Sequence, residues 1–116
     1  MTETEKLRSE GRAAILKAMA HPSRVFIVEK LSEKHYCVCE LTAMIGADTS
    51  TVSKHLSILK NAGIITDKKQ GTAVYYSLET PCLMRLLSCV ESVIEQNLNK
   101  QLAYLRSSPR IKDNAE

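Results

Sequence analysis

Four cysteines are the side chains most able to do chemistry in this chain of 116 residues. Cys37 and Cys39 are separated by a single residue, whereas Cys82 and Cys89 come much later. The N-terminus is charged and lacks the apolar stretch of a secretory signal, so we expect a cytoplasmic protein with reduced thiols. Reduced thiols could serve as ligands for soft metal ions, as redox-active groups, or as small core residues.

The spacing of the cysteines limits which of them can share one ion. Residues two apart in a regular helix point about 200° apart, so Cys37 and Cys39 can converge only if a helix begins after Cys37 or is frayed there. Cys82 and Cys89 are about 10 Å apart along a continuous helix, whereas two sulfurs on one ion lie within about 4 Å of each other. We therefore do not expect Cys82 and Cys89 of one chain to share an ion.

A second set of residues has chemistry suited to DNA. In a helix predicted over residues 50–62, Val52, Leu56 and Leu59 recur at helical spacing and should face the core. The other side has short hydroxyls, an amide and cations, which can approach base edges and phosphates in a major groove. We predict DNA contacts from this helix, from the residue before it, and from a following hairpin, at Thr49, Ser50, Thr51, Ser53, Lys54, Ser57, Lys60, Lys68, Lys69 and Thr72.

Position along the helix divides these residues by role. Thr49, Ser50 and Lys54 lie near its N-terminal end and are best placed for bases, whereas Lys60 is better placed for a phosphate. His55 borders the apolar stripe, and we interpret it as a hydrogen-bonded core histidine, with a base contact or a ligand as the alternative. An ordinary exposed amphipathic helix beside an ordinary hairpin would show part of the same pattern.

Short elements must position both sets of residues. Apolar periodicity predicts four helices, two β-prone runs joined at Gln70-Gly71, and a long last helix that has Pro81 at its first position and ends near Arg106. The first four helices and the two runs are expected over residues 4–20, from Pro22 onward, 38–45, 50–62, Ile64–Lys69 and Ala73–Leu78. This order is typical of a mainly α winged helix-turn-helix with a small β-hairpin.

Size and composition narrow the possible functions. We assign residues 1–106 to one small domain and residues 107–116 to a flexible tail. No apolar run approaches the ~20 residues that a membrane span needs. The net charge of +3 permits nucleic-acid binding without indicating it. A thiol enzyme is not expected, because the chain has no C-x-x-C motif on a βα unit.

Five segments together resemble the ArsR/SmtB family of metal-responsive repressors. They read AHPSR, CVCEL, STVSKHL, DKKQG and VYY, and they begin at residues 20, 37, 50, 67 and 74. The resemblance implies a homodimer, formed by the first and last helices, that binds an imperfect inverted repeat in double-stranded operator DNA. It also implies that the DNA is released when a thiophilic ion or an oxidant reaches the cysteines.

The segment from Cys37 to Cys39 resembles the CVC motif of the family's arsenic, antimony and cadmium sensors. That resemblance implies no permanently bound cofactor and an inducer such as As(III), Sb(III) or Cd(II), which soft thiolates favour. The family motif often continues with a third cysteine where this chain has Thr42. We predict Cys82 as the third ligand, with Cys89 as a close competitor. The alternative function is a thiol-redox or persulfide sensor, in which one of the first pair couples to one of the later cysteines.

Overall fold

The structure, a computed structural model, describes residues 1–107 and has a winged helix-turn-helix fold, as predicted. Its elements follow the predicted order with one additional strand. The helices are α1 (Glu3–Met19), α2 (Pro22–Glu33), α3 (Val38–Ile45), α4 (Thr49–Asn61) and α5 (Leu83–Ser107), and the strands are β1 (Tyr36–Cys37), β2 (Ile65–Gln70) and β3 (Ala73–Leu78). The predicted tail lies outside the described residues, apart from Ser107, which ends α5.

The helix-turn-helix is formed by α3 and α4, and local signals determine its turn. α3 ends at Gly46, whose φ of 77° is a left-handed conformation that favours glycine. Asp48 then caps α4, because its Oδ1 accepts a hydrogen bond from the amide of Thr51 at 3.0 Å. The turn therefore comprises residues 46–48, and α4 begins at Thr49, one residue before the predicted start.

A Schellman motif ends α4. The amides of Gly63 and Ile64 donate to the carbonyls of Lys60 and Leu59, each at 3.0 Å, and Gly63 has a φ of 81°. Ile64 and Ile65 then enter the core, where 2% and 1% of their surfaces are exposed. The motif thereby sets the direction in which the hairpin leaves α4.

The hairpin of β2 and β3 is the wing, and β1 extends it to a three-stranded antiparallel sheet of order β1-β3-β2. The hairpin turns at Gly71 and Thr72, one residue later than predicted, and Gly71 has the positive φ, 64°, that such a two-residue turn needs. β1 was not predicted, because two residues are too few to show an alternating pattern. It places Cys37 opposite Tyr75 of β3.

The core of the unit formed by Met1–Pro81 lies between its helices and the start of β2. Val52, Leu56 and Leu59 have at most 1% of their surfaces exposed, which confirms the apolar stripe predicted for α4. The other large side chains that are fully buried are Ile27, Val28, Leu41, Ile64 and Ile65.

A second compact unit starts at Cys82 and contains α5. The helix begins at Leu83, so the prediction that Pro81 is its first residue is wrong. Pro81 and Cys82 form a turn before it instead, and the amide of Arg85 donates to the carbonyl of Cys82 at 3.1 Å. Within residues 1–107, no helix combines the length and the apolar character that crossing a membrane would need.

Candidate DNA interface and cysteine pair

α4 exposes the polar face that the sequence predicted to contact DNA. The side chain and the amide of Thr51 hydrogen-bond to Asp48 and lower its pKa, so the capping carboxylate keeps its charge. The face is accessible to a major groove, which is wide enough for an α-helix. Its predicted contact residues are all exposed, and they are Thr49, Ser50, Thr51, Ser53, Lys54, Ser57 and Lys60.

Lys60 differs from the rest of this face because it already forms an ion pair. Its Nζ lies 2.9 Å from Oδ2 of Asp67 on β2. The hydrogen bond and the charge of Asp67 raise the pKa of Lys60. The pair connects the C-terminal end of α4 to the wing. Since exposed ion pairs contribute little to stability, a DNA phosphate can replace Asp67 as the partner of Lys60.

The wing presents its two predicted lysines on opposite faces. Lys68 and Lys69 are neighbours on β2, and neighbouring side chains of a strand point to opposite faces of a sheet. Ile65 is buried in the core, and Asp67 is bonded to Lys60 of α4. Both lie on the same face of β2 as Lys69. Lys68 therefore lies on the outer face, and the exposed Thr72 lies at the tip.

His55 belongs to a cluster with His21 and Arg24 on the flank of α4. Nη1 of Arg24 lies 3.2 Å from Nδ1 of His55, and the centroids of the two histidine rings are 4.3 Å apart. Partial burial lowers the pKa of His55, and the charges of His21 and Arg24 lower it further. His55 is thus hydrogen-bonded, as interpreted from the sequence, but it is half-buried on the flank of α4 and does not belong to the core.

The side chains of Cys37 and Cys39 meet at the start of α3. Cys37 is extended, with φ −83° and ψ 164°, and it is the N-cap residue, so the helix begins after it. The two sulfurs therefore converge, as the sequence required for a shared site, and they are joined in a disulfide. The sequence led us to expect reduced thiols, whereas the structure brings this pair within bonding reach because α3 begins after Cys37.

Cys37 connects the pair to the sheet and to α3. It pairs with Tyr75 in the sheet, and its amide donates to Oε1 of Glu40 at 3.0 Å. Its surface is 4% exposed, whereas Cys39 is exposed. A reagent can therefore reach the pair from the side of Cys39, and any change in the pair acts on the first helix of the helix-turn-helix.

No third ligand is grouped with this pair within Met1–Pro81, the unit that contains it. Thr42, in place of the family's third cysteine, donates its hydroxyl to the carbonyl of Val38 at 2.7 Å. Cys82 and Cys89 are free and exposed. Among residues 1–107, no three or more His, Cys, Asp or Glu side chains are grouped to hold a metal ion. The Cys37–Cys39 pair thus offers two thiols on reduction, and the third ligand stays a prediction.

Four residues with a part in these arrangements were missed from the sequence: His21, Arg24, Glu40 and Asp67. Glu40 could have been found, because a glutamate three residues after an N-cap position is the spacing of a capping box. No local pattern pairs Arg24 with His55, which is 31 residues away, or Asp67 with Lys60. Such pairs depend on the tertiary fold.

Known proteins match this chain over most of its length. The model of the arsR family of bacterial regulatory proteins matches residues 21–67, from the start of α2 to the middle of β2. The uncharacterized HTH-type transcriptional regulator Rv0081 of Mycobacterium tuberculosis is 33% identical over 95 residues, which cover 81% of this chain and 83% of the relative. The cadmium resistance transcriptional regulatory protein CadC homolog of Staphylococcus aureus is 41% identical over 76 residues, which cover 65% of this chain and 63% of the relative.

Solved structures show the same fold. The crystal structure of Mycobacterium tuberculosis Rv0081 has a TM-score of 0.71 and 30% identity, and the match covers 88% of this chain and 99% of that one. The crystal structure of the transcriptional repressor BigR from Xylella fastidiosa has a TM-score of 0.68 and 27% identity, with coverage of 80% and 95%. Both matches cover at least four fifths of this chain and nearly all of the solved chain.

Proposed function

This chain belongs to the arsR family of bacterial regulatory proteins, and we propose that it leaves operator DNA when a thiophilic ion binds Cys37 and Cys39. As a member of this family it is a DNA-binding transcriptional repressor and not an enzyme. As(III), Sb(III) and Cd(II) suit the pair, because soft thiolates prefer soft ions. The cadmium resistance in the name of the Staphylococcus aureus relative supports an inducer of this class.

DNA recognition is assigned to the exposed face of α4 in a homodimer. The two copies of α4 enter successive major grooves about 34 Å apart, and the two-fold symmetry makes the operator an imperfect inverted repeat. Thr49, Ser50 and Lys54 contact base edges near the N-terminal end of α4. The other proposed contacts, mainly to the DNA backbone or the minor groove, are made by Thr51, Ser53, Ser57, Lys60, Lys68, Lys69 and Thr72.

The observation that supports ion sensing is the place where the two sulfurs meet. Cys37 is at once a residue of the sheet and the N-cap of α3, the first helix of the helix-turn-helix. Two thiolates on one ion lie about 4 Å apart, so the reduced pair has to open at the start of α3 to bind it. Because α3 packs against α4, this change reaches the helix that contacts DNA.

A third thiolate completes the proposed site, since trigonal As(III) takes three sulfur ligands. We assign it to Cys82, which lies in the turn before α5, because the N-terminus of a helix favours a negatively charged group. Cys89, within α5, is the competing ligand. Either residue can come from the same chain or from the other copy in the dimer.

Anaerobic mass spectrometry of the reduced protein tests ion binding. After addition of arsenite, we expect one arsenic atom per chain in the wild type and none in Cys37→Ser. The third ligand is identified by comparing Cys82→Ser with Cys89→Ser, because only loss of the ligand should weaken the arsenic adduct. Ser88→Ala serves as the control for a neutral change in α5. An arsenic adduct of unchanged stability in Cys37→Ser would remove Cys37 from the site.

Thiol oxidation is a second candidate input, favoured by the disulfide between Cys37 and Cys39. In this reaction two thiols give two protons and two electrons to a peroxide or polysulfide and form one S–S bond. The bond joins the two neighbours at the start of α3 instead of coupling one of them to Cys82 or Cys89. Exposure to polysulfide in the same mass-spectrometric experiment distinguishes this input, because it yields a mass lower by two hydrogens, or added sulfur, with no arsenic bound.

A further inference from the structure

We propose that His55 is a pH-responsive positioning residue of the DNA-reading helix, held by Arg24 as long as its imidazole is neutral. The inference requires only the DNA binding of the family and is independent of the inducer and of the cysteines. It assigns to the cluster of His21, Arg24 and His55 the task of holding α4 in the orientation in which it docks on DNA.

The side chain of Arg24 connects three helices by hydrogen bonds. Arg24 lies on α2, its Nε donates to the carbonyl of Ala18 near the end of α1 at 2.6 Å, and its Nη1 meets Nδ1 of His55 on α4 at 3.2 Å. His21 lies against the ring of His55, and its own Nδ1 accepts a hydrogen bond from the amide of Ser23 at 3.0 Å. One guanidinium thus fixes α4 to the junction of α1 and α2.

The chemistry of the contact requires a neutral His55. A guanidinium group has only donors, so Nδ1 of His55 must be the acceptor and its proton must lie on Nε2. When a proton from water binds Nδ1, the imidazole has donors at both nitrogens and can no longer accept from Arg24. At acid pH the hydrogen bond between Arg24 and His55 is therefore lost, and a positively charged imidazole lies beside the permanently charged guanidinium of Arg24.

The surroundings of His55 oppose its protonation. In the described chain, the ionisable groups that act on His55 are His21, at the start of α2, and Arg24, and both are positive when charged. Burial and these charges hold the pKa of His55 below its ordinary value of about 6.5. Since the unfolded chain binds this proton more readily, the contact is complete above about pH 6.5 and is lost as the pH falls through the lowered pKa.

The consequence is a change at the DNA-contacting face. His55 directly follows Lys54, and residues on both sides of it belong to the proposed contact surface. Once Arg24 releases His55, α4 keeps its buried apolar stripe but loses its polar attachment to α1 and α2. We therefore expect operator affinity to decrease in the acid range.

Fluorescence anisotropy tests this dependence on a labelled duplex that the wild-type protein has selected from a randomised library at about pH 7.5. At constant ionic strength, wild-type affinity should fall about five- to tenfold, equivalent to about 1–1.4 kcal/mol, between about pH 7.5 and about pH 5.5. His55→Asn should bind as the wild type does at the higher pH and lose this decline, because the asparagine oxygen takes the place of Nδ1 and accepts from Arg24 without titrating. His35→Gln, which removes an exposed histidine, should keep the wild-type profile.

Parallel pH profiles for the wild type and His55→Asn would overturn the proposal. A second measurement does not depend on the folding of any variant: NMR titration of the histidine ring signals in the wild-type protein. The ring of His55 should titrate below about pH 6.5 with its proton on Nε2 in the neutral form. A midpoint at or above that pH, or a neutral form protonated on Nδ1, would equally overturn it.

Discussion

Two lysines on α4 show how one residue type can have two roles on the same helix. Lys54 is exposed on the polar face, and no ion pair of Lys54 occurs in the part of the chain that is described. Lys60 is bound to Asp67, so its charge is partly compensated before any DNA arrives. DNA affinity increases when protein cations neutralise phosphates and release the counterions bound to the DNA. Since Lys54 has no competing partner among the described residues, it should contribute more to operator binding than Lys60 does.

The substitution Lys54→Ala should weaken operator binding by about 1–3 kcal/mol if Lys54 contacts a base, and should leave ion binding by the cysteines intact. Anisotropy titrations of the reduced protein at several salt concentrations measure this loss. Lys6→Ala, which removes an exposed lysine from α1, provides the matched control and should bind nearly as the wild type does. Equal affinities of Lys54→Ala and the wild type would contradict the placement of α4 in the groove.

At the scale of elements, sequence patterns predict what is local and miss what depends on tertiary contacts. The bounds of α3 agree with the prediction because Gly46 marks its end, and α4 is shifted by only one residue. β1 was missed, because a two-residue strand is defined by its partner β3. Reduced thiols were expected from the lack of a secretory signal, which carries no information about the local geometry that joins Cys37 and Cys39. Pro81 was misplaced because proline suits a turn before a helix as well as its first position.

Glycine at the end of α4 gives a prediction about stability. Gly63→Ala should lower the free energy of unfolding by about 1–2 kcal/mol, because a left-handed residue with a Cβ is strained even though nothing lies within 4 Å of the added atom. Gly11→Ala, within α1 and with equally open space, should instead raise it by up to about 1 kcal/mol. Urea unfolding measures both. A shift of the same sign in the two variants would contradict this assignment of the Schellman motif.

For the whole molecule, the exposed apolar surface points to assembly. Along α5, Val90, Ile94, Leu98 and Leu102 recur every four residues, and each has 40–57% of its surface exposed. On α1, Leu7 is 61% exposed. An amphipathic helix whose apolar side faces water is stabilised by a partner that covers it. These helices are the first and the last of the described chain, which supports the proposed homodimer.

Leu98→Glu should shift the protein from dimer to monomer, because it places a charge in the proposed apolar interface. Operator affinity should fall with it, since two copies of α4 are needed for the two half-sites. Sedimentation velocity measures the assembly state. Gln96→Glu introduces the same charge two residues earlier, about 200° around the helix, and should remain dimeric. Dimers of undiminished stability in Leu98→Glu would show that this side of α5 is not the interface.

The most direct test of the proposed regulation is release of DNA by an ion. A preformed complex of reduced protein and labelled operator is titrated with As(III), Sb(III) and Cd(II) under anaerobic conditions, and the anisotropy of the DNA is followed. The proposal predicts that at least one of these ions releases the wild-type protein, whereas Cys37→Ser and Cys39→Ser stay bound at the same concentration. Release of both variants at the wild-type concentration, or no release of the wild type by any of the three ions, would contradict it.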